Sequence, residues 1–160
     1  MQIVIPMSGF GERFRSAGYD VPKPLIDIDG RPLMSYVIDL FPGETDFIFI
    51  CNQEHLDNPH YRMREILQKY CKTGRIVGIP PHKKGPVYAV LCAVDEIKDD
   101  QPTIVNYCDF TCDWNYAHFK KWLAMVKPDG CVPAYRGFHP HSLGSTLYAY
   151  IKQTNLWMED

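Results

Sequence analysis

Hydrophobic and polar positions along the chain follow two rhythms. Short, nearly unbroken apolar runs recur, and between them apolar residues return every three or four positions. Ile3-Val4-Ile5 is the first run and Asp46-Phe47-Ile48-Phe49-Ile50-Cys51 the second. Runs this short and continuous predict strands covered on both faces, as in a parallel sheet. Arg75 to Ile79, Thr103 to Tyr107 and Cys131 to Tyr135 predict three more strands. Between them, Arg31 to Phe41 carries Leu33, Tyr36, Val37, Leu40 and Phe41 at helical spacing. Tyr61 to Cys71 places Met63, Ile66, Leu67 and Tyr70 on one helical face. Val87 to Ile97 predicts a mostly apolar helix, and Phe119, Trp122, Leu123 and Val126 mark another. This alternation of strand and helix predicts an α/β domain with a mainly parallel sheet. Such sheets bind ligands beyond the carboxyl ends of their strands, so the loops after the first, third and fourth strands are where chemistry is expected.

After Tyr135 the pattern loosens. Residues 136–141 read as a loop and Thr146 to Ile151 as a strand, with no element after it before Asp160. The reading is a chain truncated at its C-terminus; the alternative is a small domain whose last strand lies at an edge.

Composition narrows the class. At 160 residues, 46% hydrophobic and 13% aromatic, the chain has material for a core and is not a disordered segment. A formal net charge of −2 gives no basic footprint for nucleic acid. No run is long enough to span a membrane and no signal peptide is legible, so a cytoplasmic protein is expected. The six cysteines (Cys51, Cys71, Cys92, Cys108, Cys112 and Cys131) form no CxxC pair and read as buried, reduced thiols.

The first strand runs into Pro6-Met7-Ser8-Gly9-Phe10-Gly11-Glu12-Arg13-Phe14. Two glycines two apart allow a tight turn and bring backbone N–H groups close to a ligand. Arg13 offers a planar cation to phosphate oxygens. The third glycine of a dinucleotide fingerprint is absent, since position 14 is Phe14, and no Gly-Lys-Ser/Thr marks a P-loop. A second signal follows in Pro22-Lys23-Pro24, where the prolines bias the backbone toward extended conformations and hold Lys23 stiffly. Alone it would be an exposed lysine in a turn; beside the glycine loop it reads as a phosphate contact.

These segments, with Leu25-Ile26 and Gly30-Arg31-Pro32-Leu33, resemble the sugar-phosphate nucleotidyltransferases, the glucose-1-phosphate thymidylyl-, uridylyl- and cytidylyltransferases and related capsule-biosynthesis enzymes. The resemblance runs from Gln2 to about Tyr135 and is most specific in the first 35 residues. It implies a Rossmann-like three-layer α/β domain that uses Mg²⁺ to join a nucleoside monophosphate to a phosphorylated acceptor, a sugar 1-phosphate or similar, releasing pyrophosphate. Carried over by position, Met7, Ser8, Gly9, Phe10 and Gly11 would cradle the nucleotide. Arg13 would contact the leaving pyrophosphate and Lys23 the reacting α-phosphate. Residues 1–135 would be the nucleotide-binding core and 136–160 the start of an incomplete acceptor-side region. Two departures stand out: the family's Ala-Gly-Gly is Ser8-Gly9-Phe10 here, and its small Ser or Thr before the arginine is Glu12.

The later loops add to the set. Gly85 in Pro80-Pro81-His82-Lys83-Lys84-Gly85-Pro86 matches the glycine that opens a helix beside the base in the family, and Pro86 suits a first helical turn. Lys83 and Lys84 read equally as solvated or ligand-facing. Asn106-Tyr107-Cys108-Asp109 ends the fourth strand; Tyr107 joins the nucleotide-binding set, and Asp109 is the Mg²⁺ ligand that the resemblance implies, with Asp113 the runner-up. Magnesium takes hard oxygen ligands and usually one or two from protein. The competing role for Asp109 is a helix N-cap. A second metal-binding Asp, usual in the family, has no assignable position after Tyr135. Cys108, Cys112, His139 and His141 match no compact zinc spacing. CTP, dTTP and UTP are all open as donors, with a lean to CTP, and a homo-oligomer is open too. Two other classes compete: a nucleotide-binding sensor without turnover, and a dinucleotide-binding oxidoreductase domain, for which only Glu54 could hold a ribose.

Overall fold

The computed structural model describes residues 1–134. Six strands occur there: β1 (Gln2–Met7), the two-residue β2 (Asp27–Ile28) and β3 (Arg31–Pro32), β4 (Asp46–Asn52), β5 (Arg75–Ile79) and β6 (Thr103–Val105). The helices are α1 (Glu12–Ser16), α2 (Leu33–Asp39), α3 (Gln53–Asp57), α4 (Met63–Tyr70), α5 (Pro86–Cys92) and α6 (Tyr116–Val126). Two compact units divide the chain, Met1–Phe119 and Lys120–Asp160. The first holds the whole sheet.

β1, β4, β5 and β6 form one parallel sheet in the order β5-β4-β1-β6. β2 and β3 form a separate antiparallel ribbon. From β1 the chain builds outward through β4 to β5, then crosses back to set β6 on the free side of β1. The order therefore reverses between β1 and β6, which opens a crevice at the carboxyl ends of those two strands.

The near-continuous apolar runs have the expected cause. Every residue of β1 is buried, and all of β4 but Asp46. Alternate side chains go to opposite faces. Ile3, Ile5 and Met7, with Phe47, Phe49 and Cys51, pack with Met34 and Val37 of α2 and Met63 and Leu67 of α4. Val4, Ile48 and Ile50, with Ile79, pack with Ala89 of α5 and with Ala93. The sheet thus lies between two layers, giving the three-layer α/β architecture. Each fully buried Phe, Ile or Met contributes roughly 1.5–3 kcal/mol of transfer free energy.

The opposite, amino-terminal edge is closed by a polar network. Half-buried Asp46 accepts hydrogen bonds from Gln2 (3.3 Å), Arg75 (3.2 Å), Lys98 (3.1 Å) and Gln101 (2.8 Å). Burial opposes ionisation of its carboxyl, but the bonds from Gln101, Lys98 and Arg75 outweigh that and hold it at about 2.

Several boundaries differ from the periodicity. α2 starts at Leu33, because Arg31-Pro32 pairs with Asp27-Ile28. α3 was not expected; Asn52 caps it, its Oδ1 accepting the Glu54 N–H at 2.9 Å. α5 ends at Cys92, and a single 3₁₀ turn, Val94–Glu96, replaces the rest of that helix. The fourth strand stops at Val105. Cys131 to Ala134 form no strand, in keeping with Pro133, which has no N–H to pair. Cys92, Cys112 and Cys131 are exposed, so only Cys51, Cys71 and Cys108 are the buried thiols expected. The expected strand Thr146–Ile151, Tyr135 and both His139 and His141 lie outside the described residues.

Candidate functional site

A cavity of about 270 Å³ lies at the β1/β6 crevice. Met7, Ser8, Gly9 and Gly11 come to it from the loop after β1, Lys23 from the proline segment, Gly85 from the loop after β5, and Tyr107 from the loop after β6. Four segments far apart in sequence thus meet where the sheet order reverses. Phe10, Arg13 and Asp109 are not in the cavity wall. Phe10 carries Lys83 over its ring at 5.7 Å, Arg13 is exposed on α1, and Asp109 is tied to the cavity through Lys23.

The two loop glycines serve different ends. Gly11 sits at φ 65°, a left-handed conformation that starts α1 and that other residues adopt at a cost. Gly9 has no positive φ, and a Cβ added there would meet no atom within 4 Å. The fold does not demand glycine at position 9, and the backbone there is open. Gly85 has φ 85° and ψ 176°, a region essentially reserved for glycine, and it turns the chain into α5.

Pro22 is extended (φ −55°, ψ 141°), but Lys23–Leu25 form one 3₁₀ turn rather than an extended segment. Pro22 and Pro24 are both buried, which fixes the backbone on either side of the lysine. The ammonium of Lys23 packs over Phe14 at 4.8 Å from the ring centroid and pairs with Asp109. Asp109 is therefore not a helix cap; it lies in a turn and uses its carboxylate on Lys23. Lys83 pairs with Glu12 at 2.6 Å, and Lys84 stands over Tyr88 at 4.4 Å. The Lys83 ammonium holds the exposed Glu12 carboxyl below its ordinary range.

Pro6, Pro24, Pro86, Cys108 and His82 also line the cavity and were not anticipated. Cys108 is buried, and burial, with Asp109 adding to it, pushes its thiol up to about 12, so it is not a thiolate nucleophile. His82 makes a 3.1 Å hydrogen bond to Ser8. Nothing in its sequence neighbourhood distinguishes that histidine from a solvated loop residue. Beside the cavity runs a groove of about 470 Å³ that shares Pro6, Pro86 and Tyr107 and is otherwise lined by Val87, Val90, Leu91, Val94, Val105 and Asn106. Among the described residues no cation lines it.

Comparison with known proteins decides among the classes that this geometry allows. The family model described as MobA-like NTP transferase domain matches residues 3–156. The chain belongs to that family. Its NTP transferase domain is 34% identical over 113 residues to the bifunctional protein GlmU of Herminiimonas arsenicoxydans, covering 68% of this chain and 22% of the relative. It is 24% identical over 159 residues to the mannose-1-phosphate guanyltransferase of Schizosaccharomyces pombe, covering 92% of this chain and 41% of the relative. The chain thus spans less than half the length of these curated relatives. In fold it matches HddC from Yersinia pseudotuberculosis, solved complexed with GMP-PN, with a TM-score of 0.54 and 24% identity over 76% of this chain and 53% of that one. Among the described residues no helix is long and apolar enough to cross a membrane.

Proposed function

We propose that the protein is a cytoplasmic, Mg²⁺-dependent nucleotidyltransferase that moves a nucleoside monophosphate from an NTP to a phosphorylated acceptor, a sugar 1-phosphate or similar, and releases pyrophosphate. The observation that carries this reading is the meeting of a glycine loop, with an unhindered Gly9, and the Lys23–Asp109 pair at the β1/β6 switch point.

The backbone of residues 7–11 binds the triphosphate, with Gly85 and Tyr107 on the facing walls. An acceptor phosphate oxygen attacks the α-phosphorus in line; the new P–O bond forms as the bond to the β-phosphate oxygen breaks and pyrophosphate leaves. Lys23 supplies positive charge where negative charge develops on the α-phosphate. Arg13, exposed on α1, would contact the departing pyrophosphate. No side chain forms a covalent intermediate, in keeping with the Cys108 thiol. Among the described residues no three His, Cys, Asp or Glu side chains cluster to hold a metal. Mg²⁺ usually takes one or two carboxylates from protein and completes its shell from phosphate and water. Asp109 would hold it, and the ion would supply charge neutralisation along the phosphates.

The oxidoreductase alternative loses its one residue: Glu54 is exposed on α3 and outside the cavity wall. The test is pyrophosphate release by the intact protein with CTP, dTTP, UTP and, because the S. pombe relative is named a guanyltransferase, GTP, each with phosphorylated acceptors and Mg²⁺. Turnover with one NTP, lost in Asp109→Ala, is expected. Tight NADH binding with no NTP-dependent turnover would overturn the reading.

A further inference from the structure

The bond between Ser8 and His82 joins the loop after β1 to the loop after β5 across 74 positions of sequence. Its direction is set by the rest of the imidazole. The Lys84 backbone N–H donates to His82 Nδ1 at 3.2 Å, so Nδ1 is an acceptor. In a neutral imidazole the other nitrogen then carries the proton. Nε2–H therefore donates to Ser8 Oγ at 3.1 Å, and the hydroxyl is the acceptor in that bond. Packing reinforces the ring's pose: its centroid lies 4.8 Å from that of Tyr88, edge to face.

One consequence concerns the serine. Ser8 is 3% exposed, and among the described residues its hydroxyl has no other hydrogen-bond partner. With an oxygen lone pair engaged by His82, the hydroxyl proton is left to find an acceptor. Ser8 and His82 both line the cavity that holds Gly9, Gly11 and Lys23. Among the described residues no protein group accepts that proton. A phosphoryl oxygen can.

We propose that His82 is a positioning residue that fixes the Ser8 hydroxyl as a hydrogen-bond donor to a phosphoryl oxygen of the bound nucleotide. This rests on the nucleotide reading of the cavity and extends it to two side chains. It also explains the departure at the glycine loop: a hydroxyl stands where an alanine would leave only backbone donors.

The test needs no knowledge of the base. The imidazole ¹⁵N shifts of His82 in the ligand-free protein report the tautomer, and calorimetry with inorganic tripolyphosphate reports the phosphate contact. The expected result is the Nε2–H tautomer, with tripolyphosphate binding weakened about tenfold by either Ser8→Ala or His82→Phe, the size of one hydrogen bond to a charged group. The double variant should lose about tenfold, not about a hundredfold, because the two residues act as one unit. His82→Gln, which keeps a donor near the Nε2 position, should bind within about threefold of the wild type. An Nδ1–H tautomer, unchanged binding by Ser8→Ala, multiplicative losses, a glutamine variant as weak as the phenylalanine one, or no tripolyphosphate binding by the wild type would each overturn the proposal. If the bond only tied two loops together, the variants would melt earlier with phosphate affinity intact, which also overturns it. Ser8-dependent tripolyphosphate binding without pyrophosphate release from any NTP would sink the transferase reading and leave this one standing.

Discussion

The two ends of the same sheet are built from the same kinds of residue and arranged in opposite ways. At the amino-terminal edge, Asp46 accepts from Gln2, Arg75, Lys98 and Gln101, and the Lys98 backbone N–H donates to Gln2 Oε1 at 3.1 Å. The charges there are used up within the protein. At the carboxyl edge, among the described residues, the Ser8 hydroxyl has one protein partner, Lys23 and Asp109 hold only each other and an aromatic face, and the glycine backbone at position 9 is open. A closed network lowers the energy of the fold. An open one leaves groups with bonding capacity that water fills and a ligand could take up. The difference teaches that charge near a strand end is not itself a sign of function; unspent bonding capacity around a cavity is.

Substitutions at the two edges should separate these roles. The largest effect is expected from Lys23→Ala, which should cut the rate of NTP-dependent pyrophosphate release by about 10²–10³ while leaving the urea midpoint close to wild type. A normal rate would remove Lys23 from the chemistry and with it the contrast between the edges. At the other end, Asp46→Asn should lower the free energy of unfolding by about 1–2 kcal/mol at pH 7, read by urea denaturation, with phosphate affinity unchanged. The sign with pH follows from a carboxyl held at about 2. Its contribution is complete above the unfolded value of about 4 and fades as pH falls from there toward 2, so wild type and Asp46→Asn should converge in stability at strongly acid pH.

The glycine loop allows a finer division. Gly11→Ala must take a left-handed conformation and should lose roughly 1–2 kcal/mol of stability. Gly9→Ala should leave stability within about 0.5 kcal/mol of wild type, because the new methyl meets nothing, yet weaken tripolyphosphate binding in calorimetry. Equal stability losses at both positions would show that the loop is shaped for the fold alone. The smallest effect belongs to Glu12→Gln. The Glu12–Lys83 pair is exposed on both sides, and such pairs add little, so neither the thermal midpoint nor turnover should move measurably.

Much of this was legible along the chain. The unbroken apolar runs identified β1 and β4 because both of their faces are covered. The Gly9-Phe10-Gly11 turn, Lys23 between prolines and Gly85 before Pro86 pointed to cavity residues because each is a local backbone device. Where the reading failed, a non-local or a missing partner was the cause. Arg31-Pro32 left its expected helix because a ribbon partner, Asp27-Ile28, lies across a tight turn. Cys131 to Ala134 carry strand-like residues, but Pro133 lacks the N–H a ladder needs. Cys92 is exposed although it stands between Leu91 and Ala93, because only packing decides which side of an apolar segment is covered.

By itself, then, the sequence determined the layer architecture, the glycine and proline turns and the residue types available for phosphate. Those depend on periodicity and backbone sterics, which act over a few residues. The tertiary structure alone decided that Lys23 meets Asp109 across 86 positions and that His82 meets Ser8 across 74. The first depends on β6 lying beside β1 and the second on the chain turning back toward β1 after β5; strand order is set by the free energy of packing the whole sheet, which no local pattern records.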